Sequence, residues 1–168
     1  PHLYLRGTVS KRVADELMSV AKEAGVAERL HFLEPALPHL LESLASLYDV
    51  GLCGEIGDTQ NRRIALTNKQ FSYLLAGIPA LMSDIPAHRA FSQRATGAVE
   101  LFRVGDADSL ARVLDLVLGS PTRLAALRDR AWELGQTRFN WDVEKRLIVE
   151  LVDRVLRQSA TPGEVART

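Results

Sequence analysis

Two rhythms alternate along the chain. Short runs of strand-forming residues, bounded by glycine or polar residues, occur at His2-Leu3-Tyr4-Leu5-Arg6, Arg29–Leu33, Val50–Cys53, Pro79–Met82 and Ala98–Phe102. Between them, apolar residues recur at helical spacing. From Ser10 to Ala24 they are Val13, Leu17, Val20, Ala21 and Ala24, and Gly25 stops the helix. Leu37–Leu47 reads as a short helix, Gly54–Arg63 as a long polar loop, and Asn68–Ala76 as a further helix. Beyond residue 102 only the helical rhythm remains. Leu110, Val113, Leu114 and Val117 mark one helix, and Pro121–Gly135 holds the next. Asn140 caps a third, with Val143, Leu147, Ile148, Leu151, Val152 and Val155 on one face. Residues 159–168, SATPGEVART, read as a flexible tail.

Strands alternating with helices predict an α/β fold. It is a Rossmann-like three-layer sandwich, with a mostly parallel sheet of about five strands, helices on both faces and a C-terminal helical tail. Residues 1–158 read as one domain. Right-handed crossovers predict the strand order 2-1-3-4-5. Sheets of this kind bind ligands at the carboxyl ends of their strands, near the switch point between the first and third. Gly7 and Thr8 leave the first strand at that edge, and the Gly54–Arg63 loop leaves the third and leads into the Asn68 helix.

Composition narrows the ligand. Of 168 residues, 46% are apolar and 25% charged, as in an ordinary globular protein. Lys+Arg and Asp+Glu balance at 21 each, so no basic surplus supports general nucleic-acid binding. The single cysteine, Cys53, lies in an apolar run and reads as a small buried residue in a reducing, cytoplasmic setting. His2, His31, His39 and His88 lack zinc-ligand spacing, so no metal and no cofactor is expected. No run approaches the roughly 20 apolar residues of a membrane span. The arginines of the helical tail are interleaved with acids and read as a solvated face, with contact at the inner membrane surface left open. Trp132, Phe139 and Trp141 read as packing anchors rather than a sugar platform, and His88 and Arg89, after the fourth strand, either lie at the ligand edge or are helix surface, the reading favoured. No G-x-S-x-G turn and no G-x-G-x-x-G after the first strand are present. The chain opens at Pro1 directly on a strand and reads as a piece of something longer.

One residue is out of place. In LTNKQFSYLLAGIPALMSD, residues 66–84, Thr67 and Gln70 fit a capping box, which sets Lys69 in the first helical turn. A cation there costs about 0.3–1 kcal/mol against the helix dipole. Either Lys69 points sideways into water, or an anion sits over the helix start. Charge-assisted hydrogen bonds of roughly 1.5–3 kcal/mol each would then outweigh the dipole penalty.

NKQFSYLLAGIPALMSD resembles the NK-x-F-E-Y-x-x-A-G-x-P-V-x-x-S-D segment of GT-B-fold retaining glycosyltransferases of the group 1 type. PHLYLRG, AERLHFLEPA, SLYDVGLCGE, VGDADSLARVLDLVLGSP and FNWDVEKRL resemble further segments of that family in order and spacing, from about residue 2 to 157. The resemblance implies the C-terminal, donor-binding domain of such an enzyme. A nucleotide-sugar donor would be the substrate, no metal would be needed, and Lys69 would stabilise charge on the leaving diphosphate. Asn68 and Gly7 would be donor contacts. An N-terminal acceptor domain would lie elsewhere in the same chain.

The sequence departs from that pattern in two ways. The family often carries two glutamates separated by seven residues, the second touching the donor ribose; those positions are Ile64 and Ser72 here. Ser72 offers a hydroxyl instead. Glu55, in the loop after the third strand, is a substitute carboxylate or merely a solvated one, and Asp58, Asn61, Arg62 and Arg63 share its loop. The family also has one more strand, central in its order 3-2-1-4-5-6, for which this chain has no run. Either the gap closes to give 2-1-3-4-5, or the edge is filled by another chain. The apolar stripe from Val143 to Val155 would be partly orphaned and would invite self-association. The rival reading is a non-catalytic GT-B-like domain acting in assembly.

Overall fold

The computed structural model describes residues 1–159; apart from Ser159, the expected flexible segment 159–168 lies outside the described residues. The chain divides into two compact units, Pro1–Leu41 and the part from Glu42 onward.

In the first unit, β1 (Leu3–Arg6) and β2 (Leu30–Leu33) pair in parallel, with Leu3 opposite Leu30 and Arg6 opposite Leu33. The crossover is α1 (Lys11–Glu23). Ser10 starts this helix by accepting a hydrogen bond from the Val13 amide, and Gly25, at φ 67°, ends it. Only Ala21 is buried in this unit, as expected where so few residues are available to make a core.

The second unit holds α2 (Leu41–Ala45), β3 (Gly51–Cys53), α3 (Gln60–Ile64), α4 (Lys69–Leu75), β4 (Ala80–Ser83), α5 (Pro86–Arg94) and β5 (Val99–Phe102). Three longer helices follow: α6 (Ala107–Leu118), α7 (Pro121–Thr137) and α8 (Trp141–Ser159). β4 lies between β3 and β5, all parallel. All four residues of β4 are buried, which explains its unbroken apolar run. Ala80 and Met82 face a core with Leu74, Phe91, Leu134 and Phe139, whereas Leu81 faces Val117 and Leu127. This alternation gives the unit a helical layer on each face of its sheet.

The α/β architecture with parallel strands is therefore present, but the single order 2-1-3-4-5 is not. The strands form two ladders, β1-β2 and β3-β4-β5, and β1 and β3 are not partners. A second correction concerns the Gly54–Arg63 loop. It carries the one-turn helix α3, begun by Thr59 accepting from the Arg62 amide at 3.2 Å. Of the three aromatic residues expected to anchor the helices, Phe139 alone is buried. It packs against Phe71 and Phe91, while Trp132 and Trp141 are 54% and 68% exposed. Asn140 caps α8 as expected, accepting from the Val143 amide at 2.9 Å. Leu147, Ile148, Leu151, Val152 and Val155 on α8 are all more than half exposed.

Two glycines fix α4 in place. A Cβ on Gly51 would fall 2.2–2.5 Å from ring atoms of Tyr73, so the Tyr73 ring occupies that space against β3. A Cβ on Gly135 would fall 2.5 Å from the Leu74 carbonyl oxygen, so α7 runs against the α4 backbone.

Candidate functional site

Polar side chains that the sequence scatters over 33 positions converge at the carboxyl ends of β3 and β4. Glu55 follows β3 by two residues, Ser83 ends β4, Thr67 and Lys69 stand at the start of α4, and His88 lies in the first turn of α5. Glu55 Oε1 is 2.6 Å from Lys69 Nζ. Glu55 Oε2 is 3.5 Å from His88 Nε2. Thr67 Oγ1 donates within reach of both Glu55 Oε1 (3.4 Å) and Gln70 Oε1 (3.1 Å).

This arrangement revises four expectations. Glu55 is not a solvated loop carboxylate: its side chain is only 13% exposed, because Lys69 offsets the cost of burying its charge. His88 is not helix surface but fully buried. α5 turns Ala87, His88 and Phe91 inward, while Arg89 stays outside and binds Asp84 through two hydrogen bonds of 2.9 Å. The Thr67–Gln70 capping box does not form. The N-cap is Asn68, without a side-chain hydrogen bond, and the Thr67 hydroxyl is spent on side-chain acceptors instead. Finally, Lys69 neither points idly into water nor lacks a partner. Glu55 relieves its clash with the dipole of a helix only seven residues long. Half of the Lys69 side chain remains exposed, leaving ammonium donors for a ligand.

Burial pushes the Glu55 carboxyl up. The hydrogen bond from Lys69, its own backbone amide and the charges of Lys69 and His88 outweigh burial and hold it below the ordinary carboxylate value. Cys53 is buried as expected, and burial, reinforced by the Glu55 charge, pushes its thiol up to about 12. Burial likewise raises the Tyr73 phenol to about 12, with smaller contributions from Cys53 and Glu55.

The cluster is incompletely satisfied. Glu55 Oε2, His88 Nε2 and Gln70 Nε2 are all buried without a hydrogen-bond partner. Glu55 Oε2 and His88 Nε2 face each other at 3.5 Å, and Gln70 joins the group through the Thr67 hydroxyl.

The other predicted residues are distributed as follows. Asn68 is exposed at the start of α4, beside Lys69. Ser72 lies three residues further along α4, on the face of Lys69, and its hydroxyl donates to Glu42 Oε1 at 3.1 Å. Glu42, from α2, has no signal in the sequence, and it sets a carboxylate beside the Ser72 hydroxyl. Gly7 belongs to the first unit, where it follows β1 at φ 137° and donates to the Leu33 carbonyl at 3.0 Å. It lines a cleft of about 220 Å³ with Thr8, Phe32 and Glu34. In the second unit, a cleft of about 390 Å³ is lined by Gly57, Asp58, Thr59, Arg63 and Pro86. Asp58 is paired there with Arg62 at 3.6 Å.

No protein-family model matches the chain, and no curated protein is recognisably similar to it in sequence. Solved structures are similar in fold. Anabaena HepE in complex with UDP superposes with a TM-score of 0.76 at 15% identity, over 91% of this chain and 41% of that protein. HepE has also been solved with UDP-glucose. Sucrose-phosphate synthase from Thermosynechococcus elongatus gives 0.74 at 16% identity, over 94% of this chain and 39% of that one. WaaG, a glycosyltransferase involved in lipopolysaccharide biosynthesis, gives 0.62 at 17% identity, over 82% and 34%. The chain thus spans about two fifths of the length of the first two proteins and a third of the last. Nine-tenths of it has the Rossmann-like fold of one half of a GT-B glycosyltransferase.

Proposed function

We propose that this chain is the donor-binding, C-terminal half of a glycosyltransferase that moves a sugar from a nucleoside diphosphate to an acceptor. The observation that carries the reading is Lys69: a half-exposed ammonium at the carboxyl edge of the β3-β4-β5 ladder, in a fold shared with a protein solved with UDP-glucose. As the bond between sugar and diphosphate breaks, negative charge gathers on the leaving phosphate. Lys69, oriented by Glu55, stabilises that charge more in the transition state than in the bound donor, which is the condition for catalysis. The amides at the start of α4, which receive no side-chain cap from Asn68, would add to that stabilisation. One turn along, the Ser72–Glu42 pair offers a hydroxyl and a carboxylate to hydroxyl groups of the donor. Asn68 completes the proposed donor contacts within this unit. The acceptor would be held by an N-terminal domain of the same protein, in the cytoplasm. No described helix is long and apolar enough to cross a membrane.

A non-catalytic GT-B-like domain is the second reading, favoured by the absence of glutamates at positions 64 and 72. Titrating UDP, GDP and ADP against the protein and its Lys69→Ala variant separates the two. The enzyme reading expects one nucleotide to bind and Lys69→Ala to weaken it by roughly ten- to a hundredfold, the equivalent of about 1.5–3 kcal/mol. Absence of nucleotide binding in the full-length protein would favour the second.

A further inference from the structure

We propose that α8 is a dimerisation helix: two copies of this chain associate by packing its exposed apolar face against itself in antiparallel fashion. Val143, Ile148, Val149, Val152 and Val155 are β-branched, a residue type of modest helix propensity. A helix made of such residues draws its stability from packing more than from its own backbone. Yet Leu147, Ile148, Val149, Leu151, Val152 and Leu156 are each 51–61% exposed. At about 100° per residue they span an arc well beyond the ~100° stripe of an ordinary surface helix. The two preceding helices behave differently: α6 buries Val117, and α7 buries Leu127, Ala131 and Leu134. Among the described side chains of α8 none is buried, so its large apolar face has no use within the unit.

Area and charge both favour a second copy as the occupant. The exposed parts of those six side chains amount to roughly 600 Å² per copy, against about 800 Å² per partner in a standard stable interface. Two copies therefore reach the lower end of the stable range. Trp141, 68% exposed and two turns ahead of Ile148 on the same side of the helix, adds to the patch. Four acidic and four basic side chains balance along α8, whereas an anionic lipid surface selects helices whose polar face is rich in Lys and Arg. Glu150 and Arg154, one turn apart, run along one edge of the apolar face beside Leu147 and Leu151. With a two-fold axis near Val152, antiparallel packing sets Ile148 opposite Leu156 of the second copy and Glu150 opposite its Arg154, and each contact occurs twice. The opposed helix dipoles favour the same sense. This association is independent of any donor at Lys69.

Sedimentation equilibrium of this chain is the test. The 18.6 kDa monomer should give way to a closed dimer, with a dissociation constant of about 1–100 μM for an interface of this size. Helicity should rise over the same concentrations, because pairing supplies the packing that the β-branched residues need. Trp141 emission, read in a Trp132→Phe background, should shift to the blue as the face is covered. Leu151→Glu, at an exposed position, should weaken the dimer by about tenfold or more. Glu150→Arg should weaken it as well, and adding Arg154→Glu should restore it, which reports the antiparallel register separately from folding. A chain that stays monomeric well above that concentration range overturns the proposal. So does a dimer indifferent to Leu151→Glu, or assembly that grows past two copies. Binding of the monomer to phosphatidylcholine–phosphatidylglycerol vesicles, lost in Leu151→Glu, would assign the face to lipid and overturn it. A longer polypeptide carrying this chain that stays monomeric with Trp141 covered would assign the face to its own remainder, and overturns it equally.

Discussion

Replacing Lys69 with methionine removes the ammonium and keeps most of the stem. Its effect on stability should be lopsided relative to the partner change, Glu55→Gln. Without Lys69, the Glu55 carboxylate is stranded at 13% exposure. Breaking a buried pair in this way costs about 3–5 kcal/mol, whereas exposed pairs are worth about 0–1 kcal/mol. Lys69 is half in water, so the penalty lies between these, near 2 kcal/mol at pH 7. A ceiling applies, because the stranded carboxylate can instead be protonated. For an ordinary carboxyl of pKa about 4.3 this costs roughly 3.7 kcal/mol at pH 7. Glu55→Gln leaves Lys69 free to extend into water and should cost under about 1 kcal/mol. The signs with pH are opposite. In the natural protein Glu55 sits below its unfolded value, so its contribution is present above that value and is lost as pH falls through the folded one. In Lys69→Met the carboxyl is raised, so the variant regains stability as pH falls and the gap between the two closes. Urea denaturation from about pH 4.5 to 8 measures this directly. A penalty that is flat with pH, or Glu55→Gln as damaging as Lys69→Met, would refute the reasoning.

Gly135→Ala should lose about 1–3 kcal/mol in the same denaturation assay, since the new Cβ meets the Leu74 carbonyl oxygen at 2.5 Å and backbone cannot step aside. The gain in helix propensity, about 1 kcal/mol, is too small to reverse the sign. Cys53, fully buried and with its thiol raised to about 12, should resist alkylation in the folded protein and react only as fast as the chain unfolds; prompt labelling at neutral pH would contradict the burial described.

The long helices were legible because their signals are local. Ser10 and Asn140 cap where the sequence predicts, and the helical spacing before Gly25 marks α1. α3 was not legible, because five residues hold little more than one period; Thr59, a good N-cap residue ahead of it, was the available sign. The site was half legible. Lys69 stood out because it opposes a dipole, and Glu55 was in view as a loop carboxylate. Their pairing depends on how α4 meets the loop after β3, which periodicity does not encode. The burial of His88 runs against the usual exposure of histidine; Ala87 and Phe91, both buried on the same helix, are the sign the sequence offers. Glu42 lies thirty positions from Ser72 and carries no local signal at all. The split into two ladders is likewise not legible, because which strands pair depends on contacts distant in sequence that the alternation of runs does not encode.

Gly51 has a reach beyond its own strand. With the Tyr73 ring seated where a side chain would begin, and the Tyr73 hydroxyl bonded to the Leu52 carbonyl at 3.4 Å, the segment bearing the acid and the segment bearing the base are clamped as one rigid piece. The spacing of the two charges is thus inherited from a hydrogen atom four residues upstream of one of them. A mutational walk that enlarges position 51 must shrink position 73 in the same step, so these two sites are expected to evolve as a linked unit although neither carries a charge of the cluster.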